Sequence, residues 1–123
     1  MNMIERAEAL VPRIQALAPQ GEAERTTPPE LVDELRRAGL YRMAVPDAIG
    51  GLELDPLTTI RIVERLSWAD GSTGWTTLIG NSTAFFAWLD PSAMADLVGP
   101  TTDIISTGMW APNCSPIGSS GSW

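Results

Sequence analysis

Carboxylates are the side chains in this sequence best suited to catalysis or metal binding, because the chain contains no histidine, no lysine and a single cysteine. Four of them lie near one another in sequence and could form an acid–base pair or a cation site. They are Asp47, Glu53, Asp55 and Glu64. Helix caps and solvated helix faces explain the same residues more simply. Without histidine the usual partner of a serine or cysteine nucleophile is absent, and Cys114 has no basic neighbour that would activate its thiol. The sequence therefore predicts no catalytic residue and no metal site in this chain.

Composition excludes several classes of partner. The 15 acidic residues outnumber 8 arginines and give a net charge of -7, the wrong sign for binding nucleic acid or an anionic membrane. No glycine-rich stretch has the spacing of a P-loop or a dinucleotide-binding turn. A single cysteine permits no internal disulfide, and the charged N-terminus lacks the apolar run of a signal peptide. We therefore expect a cytoplasmic protein with neither nucleic acid nor membrane as a partner.

Helix-start and helix-stop signals predict that the first hundred residues are mainly helical. Apolar side chains recur at helical spacing over residues 4–17, and a polar stretch follows. Three later positions combine an N-capping side chain with a proline in the first turn, and two glycines suit helix ends. The predicted starts are Thr27-Pro28, Asp55-Pro56 and Asp90-Pro91, and the predicted stops are Gly39 and Gly99.

Residues 40–56 are predicted to form an ordered loop, because they contain two prolines and a pair of glycines. Leu40, Met43 and Val45 are expected to point into the core. In the helix that follows, apolar residues are predicted to form one stripe against the core. They are Leu57, Ile60, Val63 and Leu66. The composition changes to β-prone residues and then to proline, glycine and serine near residues 100–104, where we place a domain boundary.

The 19 residues 71–89 carry no formal charge. Their length approaches that of a membrane span, but seven polar side chains and three glycines argue against one. A helix without a charged face has no side that prefers water, so we expect this segment to be a helix enclosed on most sides by protein. Asp70, Ser72 or Thr73 can cap its first turn. Its large apolar side chains should pack, while its hydroxyls line a narrow cavity or bond back to the backbone.

The chain resembles the N-terminal helical domain of the acyl-CoA dehydrogenase superfamily over about residues 5–112, because three motifs occur in the same order as in that family. They are Leu35, Gly39 and Leu40; Pro46, Gly50 and Gly51; and Glu64, Leu66, Asp70 and Ser72. The sequence ADGSTGW and the residues Ala111-Pro112-Asn113 are more similar to the flavin-dependent monooxygenase branch. Acyl-CoA dehydrogenases usually carry T-E-P where this chain has Trp110, Ala111 and Pro112.

The resemblance implies an all-α bundle of about five helices over residues 1–100, followed at 101–123 by the truncated start of a β-barrel domain. It implies the N-terminal fragment of a flavin-dependent oxidoreductase that oxidises CH–CH bonds or hydroxylates its substrate, with its catalytic residue beyond residue 123. The matching places Met109, Trp110 and Ser115 beside the flavin. It also places four residues of the uncharged segment in the substrate pocket: Trp75, Ile79, Ser82 and Phe86.

The same resemblance implies FAD, with FMN as the alternative, in the complete protein but not in this chain alone. The implied partners are a small-molecule or acyl-CoA substrate, a flavin reductase and further copies of the protein. A competing hypothesis is a self-contained helical interaction module without catalysis, in which a face rich in tryptophan docks another protein. The five tryptophans of the chain are compatible with it.

Overall fold

The computed structural model describes residues 1–98 and 105–106, and the part it describes is helical without a β-strand. Five α-helices and two 3₁₀ helices follow one another. The α-helices are α1 (Met3–Glu24), α2 (Pro29–Arg37), α3 (Pro56–Ala69), α4 (Gly71–Gly80) and α5 (Pro91–Val98). The first 3₁₀ helix is Asp47–Ile49 and the second is Asn81–Trp88. The predicted all-α bundle is confirmed, whereas the predicted start of a barrel and the stop at Gly99 lie outside the described residues.

Helix α1 is longer at both ends than the predicted range 4–17. Asn2 and Glu5 form a capping box, in which each side chain accepts the other residue's backbone N–H at 2.9 Å. The helix continues through Pro12 and Pro19, each of which removes only one backbone donor. It ends at Arg25, whose φ of 55° is left-handed. The buried residues of α1 are Ala7, Val11, Ile14 and Leu17.

Helix α2 begins one residue later than predicted. Pro28 precedes Pro29 and is therefore held in an extended conformation, with ψ of 133°, so that the helix starts at Pro29. The hydroxyl of Thr27 consequently makes no cap bond. The predicted stop is confirmed, since Gly39 has a φ of 84° and donates its N–H to the Arg36 carbonyl oxygen.

The loop between α2 and α3 is ordered and contributes to the core, as predicted. Leu40, Met43 and Val45 are fully buried. Backbone bonds cross the loop, among them one of 2.8 Å from the Leu54 N–H to the Met43 carbonyl oxygen. A side chain at Gly51 would collide with the Val45 backbone, so the crossing requires glycine there. The core joins this loop to three helices through Ala7, Ile14, Leu17, Leu31, Leu35, Leu40, Tyr41, Met43, Ile62 and Leu66.

Helix α3 faces the core with a different stripe from the predicted one. Ile62 and Leu66 are fully buried, but Leu57 and Ile60 are exposed. At about 100° per residue, positions 62 and 66 lie on the side of the helix opposite to 57 and 60. The prediction that Leu57 and Ile60 face the core was therefore wrong, and α3 has apolar side chains on two opposite faces.

Candidate pocket wall

The uncharged segment forms α4 and the second 3₁₀ helix, and a single residue joins it to α3. Asp70 donates its backbone N–H to the Leu66 carbonyl oxygen at 2.9 Å and so completes α3. Its carboxylate accepts the Thr73 N–H and the Thr73 hydroxyl, both at 2.7 Å, and so begins α4. Of the three capping side chains considered from the sequence, Asp70 is the one that caps the helix.

The segment is not the single α-helix that its sequence predicts, because the backbone changes to a 3₁₀ helix at Asn81. The Asn81 N–H donates to the Leu78 carbonyl oxygen, three residues back, which is the 3₁₀ pattern. The Asn81 side chain donates instead to the Thr77 carbonyl oxygen at 2.9 Å. The same amide donates to the Leu40 carbonyl oxygen at 2.8 Å and accepts the Ala44 N–H at 3.3 Å. Asn81 therefore ties the change of helix type to the loop after α2.

The inner face of the segment consists of small side chains that allow close packing. A Cβ atom at Gly74 would lie only 2.7 Å from the Cα of Ser67 in α3. A Cβ atom at Gly80 would lie 2.8 Å from the Cε1 of Tyr41. Since real Cβ atoms do not approach so closely, these two glycines set how near α4 lies to α3 and to the loop. The buried residues of this face are Thr73, Gly74, Thr77, Gly80, Asn81 and Thr83.

The outer face is exposed, which contradicts the expectation that protein encloses the segment on most sides. Trp75 is 57% exposed, Phe85 73% and Trp88 91%. The small residues form the contact with α3 and the loop, so the large apolar side chains are directed away from it. Within the described part of the chain nothing covers them. The outer face therefore offers a charge-free apolar surface to another part of the protein or to a partner.

The four predicted pocket residues lie along this segment. Trp75, Ile79 and Ser82 follow at spacings of four and three residues, which places them on one side of α4 and its continuation. Trp75 is exposed, whereas Ile79, Ser82 and Phe86 are half-buried. This arrangement is geometric, and the role of these residues in a substrate pocket stays a prediction.

Two of the six hydroxyls of the segment bond back to the backbone, one of the two arrangements predicted. Thr76 donates to the Ser72 carbonyl oxygen at 2.9 Å, and Ser82 donates to the Ile79 carbonyl oxygen at 2.6 Å. The Thr77 hydroxyl is buried and has no hydrogen-bond partner among the described residues. Burial raises the pKa of the nearby Tyr41 phenol. The Thr77 hydroxyl lies close to this phenol and offsets part of that rise in pKa, but the two groups do not have the geometry of a hydrogen bond.

The chain returns to this segment after α5. Thr83 donates its hydroxyl proton to the Ser106 Oγ at 3.1 Å, and the side chain of Ile105 contacts Gly80. The predicted flavin contacts Met109, Trp110 and Ser115 lie outside the described residues.

Two of the four clustered carboxylates make structural hydrogen bonds, as the simpler explanation predicts, and Glu64 lies on an exposed helix face. Asp55 accepts the Thr58 N–H at 3.0 Å and caps α3, and the hydrogen bonds from Thr58 lower the pKa of Asp55. Glu53 accepts the Asp47 N–H at 2.8 Å within the loop. No group of three metal-binding side chains occurs in residues 1–98 and 105–106. Within the same residues, no helix is long and apolar enough to cross a membrane.

A groove that the sequence did not indicate lies between the second half of α1, the turn before α2 and the start of α4. Its volume is about 640 Å³. Its charged side chains have mixed signs, with Arg25 beside Glu22 and Asp70, and the Asp70 carboxylate is already used as a cap. Because its walls come from distant parts of the sequence, no local motif could have revealed it. Its chemistry favours no particular ligand.

The helical order and these motifs match a known family. Residues 5–89 match the family described as acyl-CoA dehydrogenase, N-terminal domain. The chain belongs to this family. The resemblance inferred from the three motifs is thereby confirmed.

Relatives of the chain are monooxygenases by name, and one of them is named as flavin-dependent. The indole-3-acetate monooxygenase of Pseudomonas putida is 33% identical over 117 residues, which cover 93% of this chain and 30% of that protein. The flavin-dependent monooxygenase, oxygenase subunit HsaA, of Rhodococcus jostii is 30% identical over 110 residues, covering 89% of this chain and 29% of that protein. This chain thus spans less than a third of the length of these relatives.

A solved structure has the same arrangement of helices. The crystal structure of 3-HSA hydroxylase from Rhodococcus sp. RHA1 superposes with a TM-score of 0.79 at 28% sequence identity. The superposition covers 85% of this chain and 27% of that one. The fold of the described residues is therefore that of an N-terminal helical domain in this family.

Proposed function

We propose that this chain is the N-terminal helical domain of a flavin-dependent monooxygenase and that its uncharged segment forms a wall of the substrate pocket. The observation that carries the proposal is the exposed outer face of α4 and the second 3₁₀ helix, which has no charge and includes Trp75, Phe85 and Trp88. Such a face is costly in water and suits contact with the remaining domains and an apolar ligand. The names of the relatives support hydroxylation over oxidation of an acyl-CoA.

The proposed wall favours a small aromatic or apolar substrate. Ligand pockets combine mostly apolar side chains with a few polar groups that fix orientation. Trp75, Ile79 and Phe86 supply the apolar surface, and the Ser82 hydroxyl is the polar group beside them. Indole-3-acetate, which one relative is named for, is a compound of this chemical class.

The described residues do not by themselves fit a flavin. A flavin nucleotide carries phosphate, which proteins bind with arginine, lysine or helix N-termini. Arg65 is the last positively charged residue of the chain, and the first turn of α4 is already capped by Asp70. We therefore assign the binding of FAD or FMN to the rest of the complete protein, with Met109, Trp110 and Ser115 as its contacts from this chain. In this proposal residues 1–100 are the helical domain and residues 101–123 begin the next one.

Two kinds of partner accompany the proposal. A relative is named as an oxygenase subunit, which implies a second component, and a flavin reductase is the partner that would supply reduced flavin. Further copies of the complete protein are the second partner, as the family resemblance implies.

The test is a chimera in which residues 1–98 replace the matching part of the Pseudomonas putida indole-3-acetate monooxygenase. We expect the chimera to bind flavin and to consume oxygen when supplied with reduced flavin and indole-3-acetate. F86A should raise KM about tenfold or more, because it removes apolar contact with the ligand. I4A is the control, as it shortens a partly exposed apolar side chain on α1. A folded, flavin-loaded chimera in which F86A and I4A behave alike would refute the pocket assignment.

One observation favours the interaction module as a second candidate. Trp68, Trp75 and Trp88 are all exposed, and tryptophan is the side chain most enriched at interface hot spots. In that case the chimera should fail to bind flavin even though residues 1–98 fold.

A further inference from the structure

Helix α3 presents a second apolar face to solvent, which the proposed pocket does not use. Leu57 is 57% exposed, Ile60 63% and Trp68 67%. Arg61 and Glu64 are also exposed and lie between them in sequence. At about 100° per residue, these five side chains fall within an arc of about 100° on the side away from the core. We call this set, Leu57, Ile60, Arg61, Glu64 and Trp68, the outer stripe.

The outer stripe is complementary to itself when reversed. Leu57 and Trp68 lie at equal distances in sequence on either side of the bond between residues 62 and 63, and so do Arg61 and Glu64. If two α3 helices pack antiparallel about a two-fold axis at that point, Leu57 of each copy faces Trp68 of the other. Arg61 of each copy then faces Glu64 of the other. The pairing produces two apolar contacts and two ion pairs, while Ile60 of each copy faces Arg65 of the other, whose guanidinium is bound by Glu8.

From this symmetry we propose that a second copy of this chain docks on the outer stripe, with the two α3 helices antiparallel. The charge pattern selects this occupant. The chain as a whole carries a net charge of -7, so two copies repel each other across most of their surfaces. The outer stripe is an exposed surface with no net charge, and its single positive and single negative side chains are positioned to attract their counterparts.

One apolar anchor of the stripe is held in position before association. The guanidinium of Arg65 lies 4.4 Å from the centre of the Trp68 ring. Glu8 of α1 binds that guanidinium through two oxygen atoms, one of them 2.6 Å from Nη2. An indole ring held in place loses less conformational freedom on binding, which favours association.

The size of the contact indicates a weak dimer. Residues 57–68 span about 16 Å of helix, and a single helix pair of that length buries less than the roughly 800 Å² per partner of a standard interface. We therefore expect a dissociation constant of about 100 µM, within the range of analytical ultracentrifugation.

The test is sedimentation velocity of the 123-residue chain over about 5 to 500 µM at low ionic strength. All proteins carry W88S, which removes the most exposed tryptophan of the other apolar face. R61E and E64R should each weaken the dimer about tenfold or more, because each opposes two pairs of like charges. An equimolar mixture of R61E and E64R should associate, and the double variant R61E/E64R should dimerise as well as the parent. R37E is the control, since it changes net charge equally at an exposed position of α2.

The sedimentation results either support the proposed dimer or overturn it. Dimers that R61E weakens and the R61E/E64R exchange restores would support the proposal. A parent that stays monomeric throughout the range would overturn it. A dimer that R37E weakens as much as R61E would also overturn it, because general charge repulsion would then explain the loss. Far-UV circular dichroism of each variant confirms that the helices are intact.

Discussion

Replacing Gly74 by alanine tests whether α4 is held against α3 by the absence of a side chain. The new Cβ would lie 2.7 Å from the Ser67 Cα, so the two helices would have to separate by most of an ångström. Overpacking against backbone costs up to about 3 kcal/mol, whereas alanine gains about 1 kcal/mol over glycine inside a helix. We therefore expect G74A to lower the free energy of unfolding by about 2 kcal/mol, equivalent to roughly 10 °C in Tm for a domain of this size.

The assay is urea unfolding followed by circular dichroism at 222 nm, with G71A as the matched control. Gly71 is the first residue of the same helix and has no atom within 4 Å of the added Cβ, so G71A should change stability by no more than about 0.5 kcal/mol. S67A should not rescue G74A, because the close backbone atom remains. If G74A proves as stable as G71A, or if S67A restores it completely, the close approach of α3 and α4 does not depend on this glycine.

Two further predictions concern polar groups. N81A should lower the free energy of unfolding by roughly 2 to 4 kcal/mol in the same urea assay, since it leaves three backbone groups without their partner. If N81A changes the free energy of unfolding by less than an alanine substitution at an exposed position, water must bind the three backbone groups in place of the amide. Acid should also destabilise the fold, because hydrogen bonds from Arg65, Thr58 and Ser92 hold the pKa values of Glu8, Asp55 and Asp90, respectively, below those of ordinary carboxyl groups. Their ionised forms favour folding, so this stability is present above the ordinary carboxyl pKa and is lost as pH falls through the lowered pKa values of the folded protein; D55N should flatten the decline in Tm.

Local signals predicted the helix boundaries best, because capping depends on a few adjacent residues. Asp55 and Asp90 accept backbone N–H groups in the first turns of α3 and α5, as their sequence positions indicated. Gly39 ends α2 with a left-handed backbone. The start of α2 was displaced by one residue because two consecutive prolines restrict each other, an effect that the capping pattern alone does not include.

The sequence of α3 alone could not predict which of its two apolar sides packs against the core. The helix carries apolar residues on opposite sides, and both sets have helical spacing. Packing against α1 and the loop selects Ile62 and Leu66. The uncharged segment shows the same difficulty, because its composition indicated burial but not that the small side chains would be buried and the tryptophans exposed.

The candidate pocket residues could be predicted only from family motifs. Nothing in the spacing of Trp75, Ile79, Ser82 and Phe86 distinguishes a pocket wall from a packed helix. The change to a 3₁₀ helix at Asn81 depends on a bond to the Leu40 carbonyl, 41 residues earlier. A contact over such a distance in sequence has no local signature, so the orientation of Ser82 and Phe86 required the structure.

The single-residue junction at Asp70 has a mechanical consequence. Because the end of α3 and the start of α4 share this residue, and Gly74 packs directly on Ser67, a displacement of α3 is passed directly to α4. The proposed dimer surface, which includes Trp68, and the proposed pocket wall, which includes Trp75, therefore lie on opposite sides of this one aspartate in sequence.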